Sequence, residues 1–380
     1  MKIYLVGGAV RDALLNLPVV ERDYVVVGAT AEQLIELGYQ PVGKDFPVFL
    51  HPKTHEEYAL ARTERKSGKG YTGFQVYASP SVTLEQDLAR RDLTINAMAQ
   101  QNGVLVDPFH GQRDIERKVL RHVSPAFVED PLRVLRVARF AARFAHLGFT
   151  IAAETQTLMR QIVAQGEISH LVPERVWAET EKALVTQSPA VFFQVLHNCG
   201  ALQVLLELPD EAAAMLSDNR WPTLGRSTTI VENMEKEHCV SLRYACFVYD
   251  LGTAIKNHHA AYQLCKQHLR APNRCHELAA LNLAATELLA RSNISADTAL
   301  AFYQRLDIWR KPERAEQLQQ LLQCIPTSTE QQQRVDKLFA AIPKLRSIQV
   351  QDLVAEGLTG PEIGKVLTQR RLQVLQSIWH

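Results

Sequence analysis

The sequence predicts an α+β protein: an amino-terminal mixed α/β head followed by an all-α neck, body and tail. Three observations lead there. Short β-branched runs bounded by glycine are confined to roughly the first 110 residues. From about residue 113 onward, amphipathic stretches rich in Leu, Ala, Arg and Gln follow one another with few strand signals. The 380 residues, 46% hydrophobic and 22% charged, are enough for two to three domains with cores of ordinary size. The boundaries expected are 1–112 for the head, 113–205 for the neck and 206–380 for the body and tail.

In chain order, Lys2–Val6 reads as a strand that stops at Gly7-Gly8, and helical spacing over 9–17 is ended by Pro18. The DYVVVG run over 23–28 is a strand, and 31–37 is a short helix. Two more strands are expected over 48–51 and 57–62. SGKGYTG, residues 67–73, has three glycines in seven positions and reads as a mobile loop. The stretch 84–100 is expected to be helical. Beyond it the clearest helix is 132–147, where Leu132, Leu135, Val137, Ala138, Phe140 and Ala141 share one broad face. Pro173 opens another helix that runs to about Val185, and 189–199 forms one that Gly200 can cap. After residue 210 the pattern stays helical. The Gln-rich stretch 317–333, broken by Pro326, reads as surface helix.

Several classes are excluded. No uncharged apolar run approaches the roughly 18 residues of a membrane span. Arg11 and Asp12 interrupt the first apolar run, so a cleaved signal peptide is not expected. A net charge of +1 confines any polyanion site to a local patch. The six cysteines, Cys199, Cys239, Cys246, Cys265, Cys275 and Cys324, contain no C-x-x-C pair, which argues for reduced thiols in a cytoplasmic protein rather than disulfides or zinc.

The chemistry lies near the amino end. A glycine pair between strand and helix lets backbone amides approach a phosphate, and Arg11, one turn on, can point back at the same group. Glu21 and Asp23 open the next strand at i and i+2 and so face the same way. Two such carboxylates can grip magnesium ions that straddle a triphosphate. Either signal alone is weak; together and in this order they carry information. Arg90-Arg91, read as a helix start, fits phosphate or ribose contact. Arg133, Arg136, Arg139 and Arg143 recur at helical spacing beside Glu129-Asp130, with no acid between Asp130 and Glu154. Asp and Arg together can hydrogen-bond one base edge. The plain alternative is that Asp130 only caps the following helix.

LVGGAVRDALL with ERDYVVVG resembles the first motif of the polymerase β-like nucleotidyltransferases. RRDLTINAMA resembles the second motif of their tRNA branch, EDPLRVLRVARFAARFAHLGF the nucleobase-reading motif, and PERVWAETEKAL the neck motif after it. The near-continuous likeness over 1–200 is to bacterial class II CCA-adding enzymes, of gamma-proteobacterial type. The stretch 357–364, GLTGPEIG, is similar to their tail motif.

The resemblance implies template-independent addition of C, C and A to the 3′ end of tRNA, with tRNA, CTP and ATP as partners and Mg²⁺ as cofactor. It implies Gly8 and Arg11 at the triphosphate and Glu21 and Asp23 on the metal. Glu57 would be a third carboxylate. Arg91, Arg136 and Arg139 would contact the nucleotide, and Asp130 and Arg133 would read its base. The loop 67–73 would move as specificity changes from C to A. The chain departs from the family at two places: Glu21 stands where Asp is usual, and Tyr249 stands where relatives have the His of a His-Asp phosphohydrolase pair. The expectation is therefore a degenerate hydrolase domain, with His258-His259 a pair of surface histidines. Oligomeric state is left open between monomer and homodimer. A poly(A) polymerase, a partial CC- or A-adding enzyme, and a catalytically silent RNA-binding protein are the other readings.

Overall fold

The protein is described by a computed structural model covering residues 1–42, 48–66, 74–216 and 221–379. The loop 67–73 lies outside the described residues. The chain divides into two compact units, Met1–Glu207 and Leu208–His380. The α+β expectation holds: every strand lies in the first unit, and the second is helical.

The first unit is built on a seven-stranded sheet. Its strands are β1 (Lys2–Val6), β2 (Asp23–Val27), β3 (Gln40–Val42), β4 (Val48–Leu50), β5 (Glu57–Leu60), β8 (Ala99–Gln101) and β9 (Val104–Val106), in spatial order β3-β4-β5-β2-β1-β8-β9. Between β5 and β8 in the chain, β6 (Arg62–Lys66) and β7 (Phe74–Ala78) form a separate antiparallel ribbon. The β2–β5 pair is parallel and the other pairs of the sheet are antiparallel. Beyond the exposed Asp23, strand β2 is apolar because both its faces are covered. Val25 packs with Val6, Leu88 and Ala97 on one side, while Val26 packs with Leu34, Phe49 and Tyr58 on the other. Period-2 alternation then puts Asp23 on the Val25 face.

Helices α1 (Gly8–Leu14), α2 (Ala31–Glu36), α3 (Leu84–Ala89) and α4 (Gly111–Glu116) complete the head. The expected helix over 84–100 is a correction: α3 ends at Ala89, a 3-10 turn occupies Thr94–Asn96, and β8 follows. Arg90 and Arg91 therefore sit at a helix end, not a helix start. Buried Asp87 accepts from Arg90 Nε at 3.0 Å and from Arg91 Nη2 at 3.3 Å, and cations suit the negative end of a helix. Leu93 is extended and bridges to His122, while Ala99 pairs with Val6. Pairing with distant strands overrides the helical pattern.

A short parallel pair, β10 (Val119–Leu120) and β11 (Thr150–Ile151), brackets α5 (Leu132–Phe144). The first unit is completed by α6 (Ala153–Ala164), α7 (Pro173–Leu184), α8 (Pro189–Asn198) and α9 (Ala201–Leu205). Helix α5 packs on α7 and α8. Gly200, at φ +82°, turns the chain out of α8 in the left-handed conformation that glycine adopts without strain.

The second unit comprises α10 (Asp210–Met215), α11 (Pro222–Ile230), α12 (Lys236–Ala254), α13 (His258–His268), α14 (Asn273–Leu289), α15 (Ala296–Leu306), α16 (Glu313–Cys324), α17 (Thr329–Arg346), α18 (Val350–Ala355) and α19 (Pro361–Trp379). Helix α12 is its axis, packed by α11, α13, α14 and α16. A helix so surrounded is apolar nearly all round, and 239–248 is buried throughout. Pro326 lies between α16 and α17, as expected. All six cysteines are buried, and none of them is in a disulfide.

Asp250 is a buried carboxylate on α12. Its two carboxylate oxygens accept from the backbone N–H groups of Thr223, at 3.2 Å, and Leu224, at 2.9 Å, in the first turn of α11. Tyr249 beside it stacks on His258 with ring centroids 4.8 Å apart. The expectation of two surface histidines is thus corrected for His258. Gly252 has no Cβ, and His258 fills the space, its Nδ1 2.5 Å from where a Cβ would stand. His259 is exposed.

Burial pushes the Asp250 carboxyl up to about 6, although the two backbone donors oppose the rise. A raised carboxyl pKa means that the folded state holds its proton longer than the unfolded chain. The contribution of Asp250 to stability should therefore decline as pH rises from about 4 to about 6, by an amount on the order of 3 kcal/mol. Asp250→Asn should remove this slope and be less stable than wild type at pH 4, because its Nδ2 would face an N–H. Thermal unfolding of both proteins between pH 4 and 8 checks this; parallel curves would contradict it.

Candidate functional site

The site is assembled around Gly7-Gly8. Strand β1 delivers the pair, and Gly7 N–H donates to Met98 O at 3.1 Å, fixing the turn against the segment before β8. Gly7 has φ +70°. A Cβ on Gly7 would stand 2.8 Å from Arg91 Nη1, and one on Gly8 would stand 3.4 Å from Arg11 Nη2. Two guanidinium groups therefore converge on the pair, which the absence of side chains allows. Arg91 Nη1 is also 3.4 Å from Asn96 O. Arg91 Nε is buried and has no acceptor among the described residues. Burial lowers the Arg91 pKa, and the field of Asp87 opposes that shift.

Arg11 is only 3% exposed. Its Nε donates to Asp12 Oδ1 at 2.8 Å and its Nη1 to Asn96 Oδ1 at 2.5 Å. The guanidinium lies over the rings of Phe140 and Phe144, 5.2 and 5.1 Å from their centroids. It points back toward Gly8, as the sequence leads one to expect, but from behind the loop.

Asp23 is exposed at the start of β2, and Glu21 precedes it, also exposed. Partial desolvation raises the Asp23 pKa, nearby Arg91 lowers it, and the like charge of Glu21 raises it further. The two carboxylates thus feel one another, and a hard dication with oxygen ligands would relieve that repulsion. This donor set fits magnesium. Glu57 pairs in register with Asp23 across the parallel β2–β5 ladder and faces the same way. Among the described residues no three His, Cys, Asp or Glu side chains converge closely enough to hold a metal. Glu57 therefore stands beside the pair without closing a three-carboxylate cluster.

The arginine face of α5 is engaged by other elements, with Arg133 buried and Arg136, Arg139 and Arg143 half-buried. Arg136 donates to Asp92 Oδ2 through Nε at 2.7 Å, and its Nη1 is 3.9 Å from Glu179. Arg139 donates to Glu179 Oε2 at 2.5 Å and lies over Phe140, 4.2 Å from the centroid. Arg143 donates to Asp12 Oδ2 at 2.9 Å. Arg133 donates to Ala126 O at 2.8 Å and to Arg90 O at 2.5 Å. Asp130 Oδ1 accepts from Leu132 N–H at 3.0 Å, the capping contact, and its Oδ2 is 3.6 Å from Arg175 Nη2. Burial alone would oppose ionisation of Asp92. Arg136, the Asn96 amide and the Leu93 N–H more than offset it and hold the carboxyl well below the usual range.

Sequence reasoning missed Asp12, Asp92, Asn96 and Glu179. All four lie inside stretches that the family resemblance rests on, so their positions were visible. Their partners were not, because each meets a residue brought close only by folding.

Residues 3–121 match the family described as "Poly A polymerase head domain", and residues 148–215 match "Probable RNA and SrmB- binding site of polymerase A". An apo form (form II) of a CCA-adding enzyme is 25% identical, with TM-score 0.70, over 98% of this chain and 87% of that one. A CCA-adding enzyme in complex with CTP is 24% identical, with TM-score 0.66, over 100% and 87%. The CCA-adding enzyme of Bacillus stearothermophilus, also with CTP, is 23% identical, with TM-score 0.64, over 99% and 89%. The fold is shared along nearly the whole chain.

Gly7→Ala should both strain the backbone, by about 1 kcal/mol, and displace the Arg91 guanidinium. Gly8→Ala meets Arg11 only at ordinary distance. Thermal unfolding of the two variants should show the larger loss of stability in Gly7→Ala; equal melting temperatures would contradict the close Arg91–Gly7 contact.

Proposed function

We infer that this chain, a nucleotidyltransferase with a poly(A) polymerase head on the fold of the CCA-adding enzymes, adds C, C and A to the 3′ end of tRNA from CTP and ATP and releases pyrophosphate. The observation that carries this reading is the convergence of Arg91 and Arg11 on Gly7-Gly8, beside the Glu21–Asp23 pair.

The tRNA 3′-hydroxyl attacks the α-phosphate in line, and pyrophosphate leaves on the opposite side. Glu21 and Asp23 would hold Mg²⁺, which when bound supplies Lewis-acid polarisation of the hydroxyl and neutralisation of the triphosphate. Gly7-Gly8 lets the phosphates approach the backbone, and Arg91 offers a fork of donors to them. Arg11 backs the glycine pair from within. Asp130 and Arg133, at the start of α5, select bases carrying an exocyclic amine opposite a ring acceptor, which C and A share. Arg136 and Arg139 set the positive field of the nucleotide side. No covalent intermediate on a side chain is called for. The head would span 1–112, the neck 113–205, and 206–380 would contribute tRNA binding. Tyr249 in place of His, with both Asp250 oxygens engaged by backbone donors, supports loss of phosphohydrolase activity. Six cysteines with no disulfide among them support a cytoplasmic location. The head match named for poly(A) polymerase favours a second reading, a poly(A) tract as product.

Incubating tRNA that ends before CCA with CTP alone, ATP alone and both separates these readings. The expected products are two, zero and three added residues; a long A tract would establish the second reading. Asp23→Ala should lower the rate of addition at least about a thousandfold with tRNA affinity retained, whereas Glu21→Asp, which keeps the ligand atoms, should stay active. Near-normal turnover in Asp23→Ala would refute the metal assignment.

Each lost or repulsive base contact should reduce selection about 5- to 150-fold. Asp130→Ala and Arg133→Ala should therefore misincorporate UTP and GTP. Unchanged nucleotide preference with a lowered melting temperature would instead reduce Asp130 to a cap and Arg133 to a clamp on the Ala126 and Arg90 carbonyls.

A further inference from the structure

Asn96 is the residue at which the two halves of the nucleotide site meet. It lies in the 3-10 turn Thr94–Asn96 and is 6% exposed. Its side-chain oxygen accepts from Arg11 Nη1 at 2.5 Å, its side-chain nitrogen donates to Asp92 Oδ1 at 3.0 Å, and its backbone oxygen is 3.4 Å from Arg91 Nη1. It therefore touches both guanidinium groups that converge on Gly7-Gly8. Through Asp92 it also reaches Arg136, whose Nε is 2.7 Å from the other carboxylate oxygen.

The contacts form one unbroken relay. Arg143 is held by Asp12, Asp12 by Arg11, Arg11 by Asn96, Asn96 by Asp92, and Asp92 by Arg136, which shares Glu179 with Arg139. It runs from the glycine pair to the arginine face of α5, and Asn96 is its one uncharged member. The chemistry of its neighbours decides the orientation of the Asn96 amide. A guanidinium can only donate, so the oxygen must face Arg11. A carboxylate kept ionised by Arg136 can only accept, so the nitrogen must face Asp92. Neither a carboxylate nor an aliphatic side chain could serve both neighbours.

We propose that Asn96 is a positioning residue for nucleotide binding: its amide and its backbone carbonyl hold Arg11 and Arg91 in register with Asp92 and Arg136, so that the triphosphate end and the base end of the nucleotide are gripped as one unit. The proposal rests on the nucleotidyltransferase reading above. It concerns a residue that need touch neither substrate.

The test is equilibrium binding of CTP and of tRNA, with steady-state addition of CTP to tRNA lacking CCA. Wild-type protein is measured first: failure to bind CTP overturns both readings. CTP binding without addition overturns CCA synthesis alone and leaves the binding arm in force. In Asn96→Ala, the Kd and KM for CTP should rise about 10- to 100-fold, with tRNA affinity within about twofold of wild type. Asn96→Asp should be worse than Asn96→Ala, because it sets a carboxylate against Asp92. Adding Asp92→Asn to Asn96→Asp reverses the polarity of the pair and should recover part of the CTP affinity. Should Asn96→Ala fail to fold, Asn96→Asp and its double variant with Asp92→Asn carry the same comparison. Unchanged CTP Kd and KM in folded Asn96→Ala, or a fall in stability and kcat alone, would assign Asn96 a merely structural part and overturn the proposal. So would a double variant no better than Asn96→Asp.

Discussion

The first unit depends on neutralising arginine inside a protein. Helix α5 turns Arg133, Arg136, Arg139 and Arg143 toward other elements, Arg133 buried and the other three half-buried. An unpaired buried cation is among the costliest groups a fold can hold. Asp12 from α1, Asp92 from the turn after α3 and Glu179 from α7 supply the opposite charges, and backbone carbonyls satisfy Arg133. Those anchors fasten the arginine helix to the sheet that carries Gly7-Gly8 and Asp23. Aromatic rings complete the surroundings, with Phe140 beneath both Arg11 and Arg139. The same pairs that hold the unit together thus fix where these charges lie.

The contrast with Asp23 and Glu21 is instructive. These carboxylates are exposed and repel each other, and nearby Arg91 offsets that repulsion only partly at Asp23. Like charges placed together at the start of β2 are suited to a cation. In the second unit a buried carboxylate has gone the other way. Asp250 is engaged by two backbone N–H groups at the start of α11, and the neighbouring position is an aromatic ring stacked on His258. A carboxylate that closes a helix end is structural, and its raised pKa records the burial it endures for that contact.

Much was legible locally. Strand β1 agrees residue for residue with the sequence reading, and β2 and α2 fall within a residue of it, because glycine, proline and β-branched runs mark their ends. Gly7-Gly8, Arg11 and Asp23 were also visible as candidates, because they stand out as residue types at short spacing in the chain. The stretch 84–100 was misread because its apolar positions fit a helix, whereas Leu93 and Ala99 answer to His122 and Val6 instead. Along α5 the chain itself carries no acid between Asp130 and Glu154; the opposite charges come from other elements in space, which the local pattern does not show.

By itself the sequence determined the α+β class, the order of head and helical region, and the residue types at the glycine pair and the carboxylate pair. Each of these depends on neighbours within about a turn or a strand. Only the tertiary structure decided that Arg91 meets Gly7, that Asp92 meets Arg136 across 44 positions, that Asp12 meets Arg143 across 131, and that Asn96 sits between them. Hydrogen bonds and ion pairs act over a few ångströms whatever the separation in sequence. Their partners are chosen by how the sheet and the neck pack, which no local pattern encodes.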